Sequence, residues 1–421
     1  MTLTQHKDRF ELAEELHSRP HTELSSPCAV SHLAIMTRAD GDGLLAAITD
    51  LCRRYGAAPP HQDRHHAVTL GNYRLRWERH TEFVSLTIIQ EGKGSGFKRP
   101  PVELLPEDWL AGLDGELIAA NHVVVEPATD AGEPEVATIE RLFEGQRVVG
   151  GRVLGGSAEA FTAFRNGGDG FARFYVRDHG MSRGRTGRLV QRLIEIETYR
   201  MMALLGLPIA KAASPQLSDL ENRLVDLVAR LGATADLAEE QGLLDELFAV
   251  AQESERLVTQ SAYRFSATAA YGRLVHDRLH DLRETRLEDF QPIAEFLDRR
   301  FEPAMRTCAS VADRQESLSR RIARTADLAR TRVDVALQTQ NRALLASMER
   351  RARVQLRLQE TVEGLSVVAI SYYALGILGY LLAGLLDPEQ MKWVVSLTAP
   401  VLLAVVWLLL RRWRAQLTRE S

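Results

Sequence analysis

Cysteine is scarce in this chain. Cys28, Cys52 and Cys308 lie far apart and form no Cys-x-x-Cys pair, which argues against a disulfide framework and suits a reduced compartment in which all three are small buried hydrophobes. A positive charge excess is also missing: 52 lysines and arginines stand against 56 acids, for a net charge of −4. No nucleic-acid partner is indicated. The N-terminus, MTLTQHKDRFELAEELHSRP, carries charges throughout and has no apolar core, so it does not read as a secretory signal. The chain contains no G-x-x-x-x-G-K-[ST], no H-E-x-x-H, no G-x-S-x-G and no G-x-G-x-x-G after a strand. With those signatures absent the chain reads as a non-enzyme, and no pattern names a cofactor.

Long apolar runs are missing until the end, where two arrive together. Residues 364–386 are 23 without a charge and residues 393–410 another 18, against the ~20 needed to cross a bilayer. The expectation is a transmembrane hairpin over residues 364–412 with a tail at 413–421. Arg350, Arg351, Arg353 and Arg357 precede the first run, and Arg411, Arg412 and Arg414 follow the second. The positive-inside rule then puts both termini in the cytoplasm. Lipid bilayer is the expected partner, with a multi-pass location in a bacterial inner membrane.

Upstream, the patterns mix. A helical segment is expected over residues 1–26 and an α/β or α+β domain with a mixed sheet over residues 27–210. Strands are predicted at CAVSHLAIM (28–36), at 73–78 and 82–89 as a hairpin turning near His80, and at 121–126, 147–154 and 171–178. Helices are predicted after residue 42, at 135–143 and over GRLVQRLIEIETYRMMALLGLP, whose apolar residues cover most of its circumference. That helix is expected to pair Arg192 with Glu195 and Glu197 with Arg200, to end at Gly206 and Pro208, and to join the sheet domain to a stalk.

Residues 211–363 read as that helical stalk. Ser214-Pro215 looks like an N-cap and first helical residue, followed by Leu217, Leu220, Leu224, Leu227 and Leu231 at heptad-like spacing. Residues 304–363 then contain neither glycine nor proline. A helix of those 60 residues would run roughly 90 Å. Val333, Leu337, Leu344 and Met348 give it an apolar stripe, with Asn341 inside, that suits coiled-coil or bundle packing and a homo-oligomer.

Two groups of residues suggest sites. In HQDRHH, His61 and His65 would share a helix face and Asp63 could add a carboxylate, a metal-ligand pattern without a third fixed partner. In RWERHTEF, Arg76, Glu78, Arg79 and Glu82 alternate with bulky residues. They form either a ligand pocket or cross-strand ion pairs on a solvated sheet face.

Several stretches resemble a bacterial membrane-anchored family, domain of unknown function 3422: ELHSRP (15–20), RWERHTEF (76–83), LPEDWL (105–110), GGSAEAFTAFRNGGDGFARFYVRD (155–178), GRLVQRLIEIETYRMMALLGLPIA (187–210) and GLSVVAISYY (364–373). The resemblance implies a similar topology and no reaction. The order of parts also looks like that of CorA-type cation channels, with Ala383-Gly384-Leu385 where those have Gly-Met-Asn. By that likeness Asp387 and Glu389 would ring an outer pore mouth, and Ser366, Ser371 and Tyr372 would line an ion pathway. The ten arginines of residues 319–359 oppose a divalent-cation route and suit anionic headgroups. Two readings follow, an oligomeric ion pathway and an anchored sensor or scaffold that binds a protein or small ligand.

Overall fold

The computed structural model describes residues 5–10, 22–37, 42–60, 65–92, 96–129, 134–233, 237–382 and 387–417. The chain divides into two compact units, Met1–Ala233 with Gly242–Thr325, and Thr234–Gln241 with Ala326–Ser421. Most of the helical segment expected over residues 1–26 lies outside the described residues, as does the ELHSRP stretch; residues 22–25 carry no regular structure.

The first unit is built on a mixed sheet. Its elements run β1 (Cys28–Met36), α1 (Asp42–Arg54), β2 (His65–Leu70), β3 (Tyr73–Arg79), β4 (Phe83–Glu91), α2 (Glu107–Ala111), β5 (Glu116–Pro127), α3 (Val136–Leu142), β6 (Val149–Val153), β7 (Ala158–Asn166), β8 (Ala172–Asp178) and α4 (Arg183–Leu204). Helices α5 (Gly206–Ala233) and α6 (Leu237–Leu282) follow, then the short β9 (Thr285–Arg286), α7 (Ile293–Arg300) and the start of α8 (Glu302–Leu382). Among the described residues nine strands form one sheet in the order β2-β3-β4-β1-β5-β8-β7-β6-β9. Its ladders are antiparallel except β5 with β8.

Three strands escape the sequence patterns. β7 is buried on both faces over most of its length and so shows no period-two alternation. β9 is two residues long. β2 begins at His65, so that residue stands on a strand and not on the helix face it was expected to share with His61, which lies with Asp63 outside the described residues.

The two largest core clusters flank the sheet. On one face α1 packs Leu44, Ile48 and Leu51 against Leu33, Ile35, Leu75, Trp77 and Leu86. On the other face α4 packs Leu189, Leu193 and Ile196 against Val30, Val123, Val125 and Phe174. Each such side chain contributes roughly 1.5–3 kcal/mol when removed from water. Helix α4 is therefore a core element as well as the link from the sheet to the helices that follow, and its packing explains why apolar residues cover most of its circumference. It ends at Leu204, and α5 starts at once at Gly206 and continues through Pro215. The expected start at Ser214-Pro215 is corrected accordingly. Proline there deprives the Lys211 carbonyl of its helical donor, and Lys211 is exposed, so water can satisfy it. The leucines at 217, 220, 224, 227 and 231 are all buried.

The second unit holds residues 326–382 of α8 and the C-terminal α9 (Pro388–Leu417). Leu337, Leu344 and Met348 are exposed along α8. Two helices are long and apolar enough by length and composition to cross a membrane, the end of α8 and residues Met391–Leu409. Both have a mean hydropathy of 1.9 over their most apolar window.

Candidate ligand-binding cleft

The cleft begins with the alternation of β3. Tyr73, Leu75 and Trp77 enter the core beneath α1, which turns Arg74, Arg76 and Glu78 to the α4 face of the sheet. The strand registers then align polar residues across four strands: Arg76 opposite Thr87, Thr87 opposite His32, and His32 opposite Asn121. One step along, Glu78 stands opposite Ser85. A polar band thus crosses a sheet face whose neighbouring positions include Cys28, Val30, Ile89, Val123 and Val125.

Helix α4 roofs part of this band. Asp178, at the end of β8, accepts the amides of Gly180 at 3.0 Å and Met181 at 2.7 Å, fixing the turn into the helix. The segment before β1 crosses the helix, with the Leu24 amide donating to the Arg183 carbonyl at 3.1 Å. A Cβ at Gly187 would collide with the Thr22 carbonyl, so glycine permits that crossing. Between sheet, helix and segment lies a narrow cleft of about 90 Å³.

Its polar groups are only partly satisfied. His32 Nδ1 sits 2.9 Å from the Thr87 hydroxyl, while His32 Nε2 is buried without a hydrogen-bond partner. Burial pulls the His32 pKa down to about 3, with the charges of His80 and Arg76 adding to the effect, so the ring is neutral at physiological pH. On the helix, Thr198 is buried and its hydroxyl also has no partner. Both line the cleft. Asn121, adjacent to His32 across the ladder, is wholly buried with neither amide atom bonded. Leaving such groups unmade costs about 1–3 kcal/mol each.

At the rim Arg76 donates to Glu78 at 2.7 Å and to the Thr22 hydroxyl at 3.5 Å. Side-chain exposures of 12% and 14% mark that pair as largely enclosed. Glu195 accepts from Gln191 at 2.8 Å and is held by Arg278 of α6. Donors and acceptors thus converge on one partly apolar hollow, an arrangement suited to holding a small polar molecule. The opposite sheet face has a second network, in which His122 lies 2.9 Å from the Ser31 hydroxyl, 3.7 Å from Asp169, and stacks on Phe171. Ser31 is wholly buried and accepts the Val102 amide, so that network braces β1, β5 and the 3₁₀ turn at Pro101–Leu104.

The profile of a family described as "Protein of unknown function (DUF3422)" matches residues 4–417. The chain belongs to the DUF3422 family. No curated protein matches it. For this DUF3422 chain, then, the fold and the cleft carry the functional argument.

Of the four rim residues named from the sequence, Arg76 and Glu78 line the cleft. Glu82 instead pairs with Arg264 of α6, and Arg79 is not part of the lining. The expected Arg192–Glu195 pair does not form: Arg192 lies 3.7 Å from Asp281, whereas Glu197 and Arg200 do pair, at 2.5 Å. Among the described residues no group of three metal-ligating side chains comes together. Ser366 donates to the Val362 carbonyl at 2.9 Å, Tyr372 is exposed, and Ser371 is buried with its hydroxyl unpartnered. Asp387 is exposed; the Glu389 side chain is outside what is described.

His32, Thr87, Asn121 and Thr198 were missed. The available signal was the pair of polar dipeptides, Ser31-His32 and Asn121-His122, interrupting two otherwise apolar strands.

Proposed function

We propose that this DUF3422 protein is a membrane-anchored binding protein, not an enzyme, whose sheet–α4 cleft takes up a small polar molecule. The unpartnered His32 Nε2 and Thr198 hydroxyl, on two residues that line one narrow cleft, carry this reading. A bound molecule with hydroxyl, amide or carboxylate groups supplies the hydrogen bonds that the empty cleft lacks. The two C-terminal apolar helices support an anchor at a bacterial inner membrane, and the flanking arginines support cytoplasmic termini. Thermal unfolding of the full chain in nanodiscs, with amino acids, dicarboxylates and polyols added in turn, tests the cleft. At least one class should raise the midpoint, and Thr198→Val should abolish that rise while leaving the empty protein at least as stable as before, since it removes an unsatisfied hydroxyl. No shift with any class, together with no small molecule in the mass spectrum of the native chain, would refute the reading.

A second reading, an oligomeric CorA-like ion pathway, has one observation in its favour: the Ser371 hydroxyl is buried and unpartnered within the first apolar run. Neutralising Asp387 and Glu389 should then depress cation flux into proteoliposomes strongly. A parent protein with no flux above empty liposomes leaves only the anchor.

A further inference from the structure

A second cleft lies at the other end of the same sheet, where β6 and β7 meet α4 and α7. It holds about 330 Å³, and Arg147, Arg165, Arg200 and Arg300 all line it. No carboxylate does. Many arginines elsewhere in this unit meet acids, among them Arg54 with Asp108, Arg173 with Glu144, Arg230 with Glu246 and Arg314 with Glu221. The chain as a whole has more acids than bases, yet this lining carries basic side chains alone among charged ones.

Two of the four are held in place. Phe164 and Phe296 stack with centroids 5.5 Å apart and planes 8° from parallel. Arg200 lies over the Phe164 ring at 5.4 Å and Arg300 over the Phe296 ring at 5.2 Å. Such contacts orient a guanidinium without consuming its N–H donors. Phe164 itself adopts φ 49°, a left-handed conformation uncommon for a bulky residue, at an irregularity in the β7–β8 ladder between Thr162 and Asn166. Backbone strain of this kind gathers at ligand clamps. Buried Glu197 binds Arg200 through two hydrogen bonds, at 2.5 and 2.9 Å, which fixes it further and offsets one charge. Among the described residues Arg147, Arg165 and Arg300 have no carboxylate partner, so the cleft keeps a net charge of three.

We infer that this cleft binds a compact anion carrying two phosphate groups. One phosphate monoester brings about 1.5–2 negative charges near neutral pH, so two are needed to balance three positive ones. Planar guanidinium donors suit phosphate oxygens bidentately. A soluble diphosphate supplies that charge; a diphosphatidyl lipid headgroup offers the same phosphate oxygens on two diesters of about one charge each, and so balances the cleft less fully.

Both sources can be tested on the full chain in phosphatidylcholine nanodiscs. Calorimetric titration with pyrophosphate should show saturable binding, weaker for orthophosphate and roughly ten-fold or more weaker in Arg165→Ala combined with Arg300→Ala. Both residues are exposed, so the variant should keep its unliganded unfolding midpoint, which verifies that it folds. Nanodiscs containing cardiolipin provide the second arm. A raised midpoint there, lost in the same double variant, assigns the phosphates to lipid. Absence of both effects, or retention of either in the double variant, overturns the assignment.

Discussion

His32 shows how a single side chain can be costly to the fold and still belong to it. Its imidazole sits on a strand whose α4-facing neighbours include Cys28 and Val30, and burial holds its pKa near 3. The unfolded chain titrates near the ordinary value of 6.5, so between those limits it binds more protons than the folded chain. Stability therefore rises with pH across that window and is lost as pH falls through it. His122, held near 4 by burial, acts in the same direction. Each histidine should remove about 1.4 kcal/mol of stability per pH unit below the unfolded value. Urea denaturation from about pH 7 to about pH 5 should show that fall, and His32→Gln should make it shallower; an unchanged slope would mean that His32 is hydrated, not buried. Gly187 makes the second point at this scale. Replacing it with alanine drives a Cβ into the Thr22 carbonyl, and a loss of about 1–3 kcal/mol is expected, typical of overpacking. A variant with unchanged stability would show that the segment at residues 22–24 does not lie across α4.

Among elements, α4 and α8 differ in what covers them. Helix α4 has its apolar residues buried by sheet and neighbouring helices, so its pattern, apolar on nearly all sides, reported correctly that it is enclosed. Helix α8 runs unbroken through residues 304–363, as their lack of glycine and proline suggested. Leu337, Leu344 and Met348 on it remain exposed in a single chain. Leu337→Pro should cost ~3 kcal/mol of helix stability, read as lost helical circular dichroism. If those residues also meet a second copy, the native mass of the detergent-solubilised protein should drop in the same variant. A mass unchanged by the substitution would count against packing of that stripe.

For the whole molecule, two compact units share the chain, and the apolar helices belong to the second. Deleting residues 364–421 should release the protein from the membrane pellet in carbonate extraction, and a truncated chain that still pellets would argue against a C-terminal anchor. A reporter fused after Ser421 should report the cytoplasmic side. The mixed sheet and the two apolar runs could be read from the sequence because each depends on local period and length: alternation for β3, an all-round apolar surface for α4, and uninterrupted hydrophobicity for residues 364–386 and 393–410. Local pattern also picked out Arg76 and Glu78, since β3 places alternate residues on one face. The clefts were not legible. The polar band joins Arg76, Thr87, His32 and Asn121 from four strands through registers set only when the sheet forms, and the arginine cleft draws Arg147, Arg165, Arg200 and Arg300 from separate elements. Convergence of this kind depends on long-range pairing and on which face each helix covers, quantities that no short window of residues encodes.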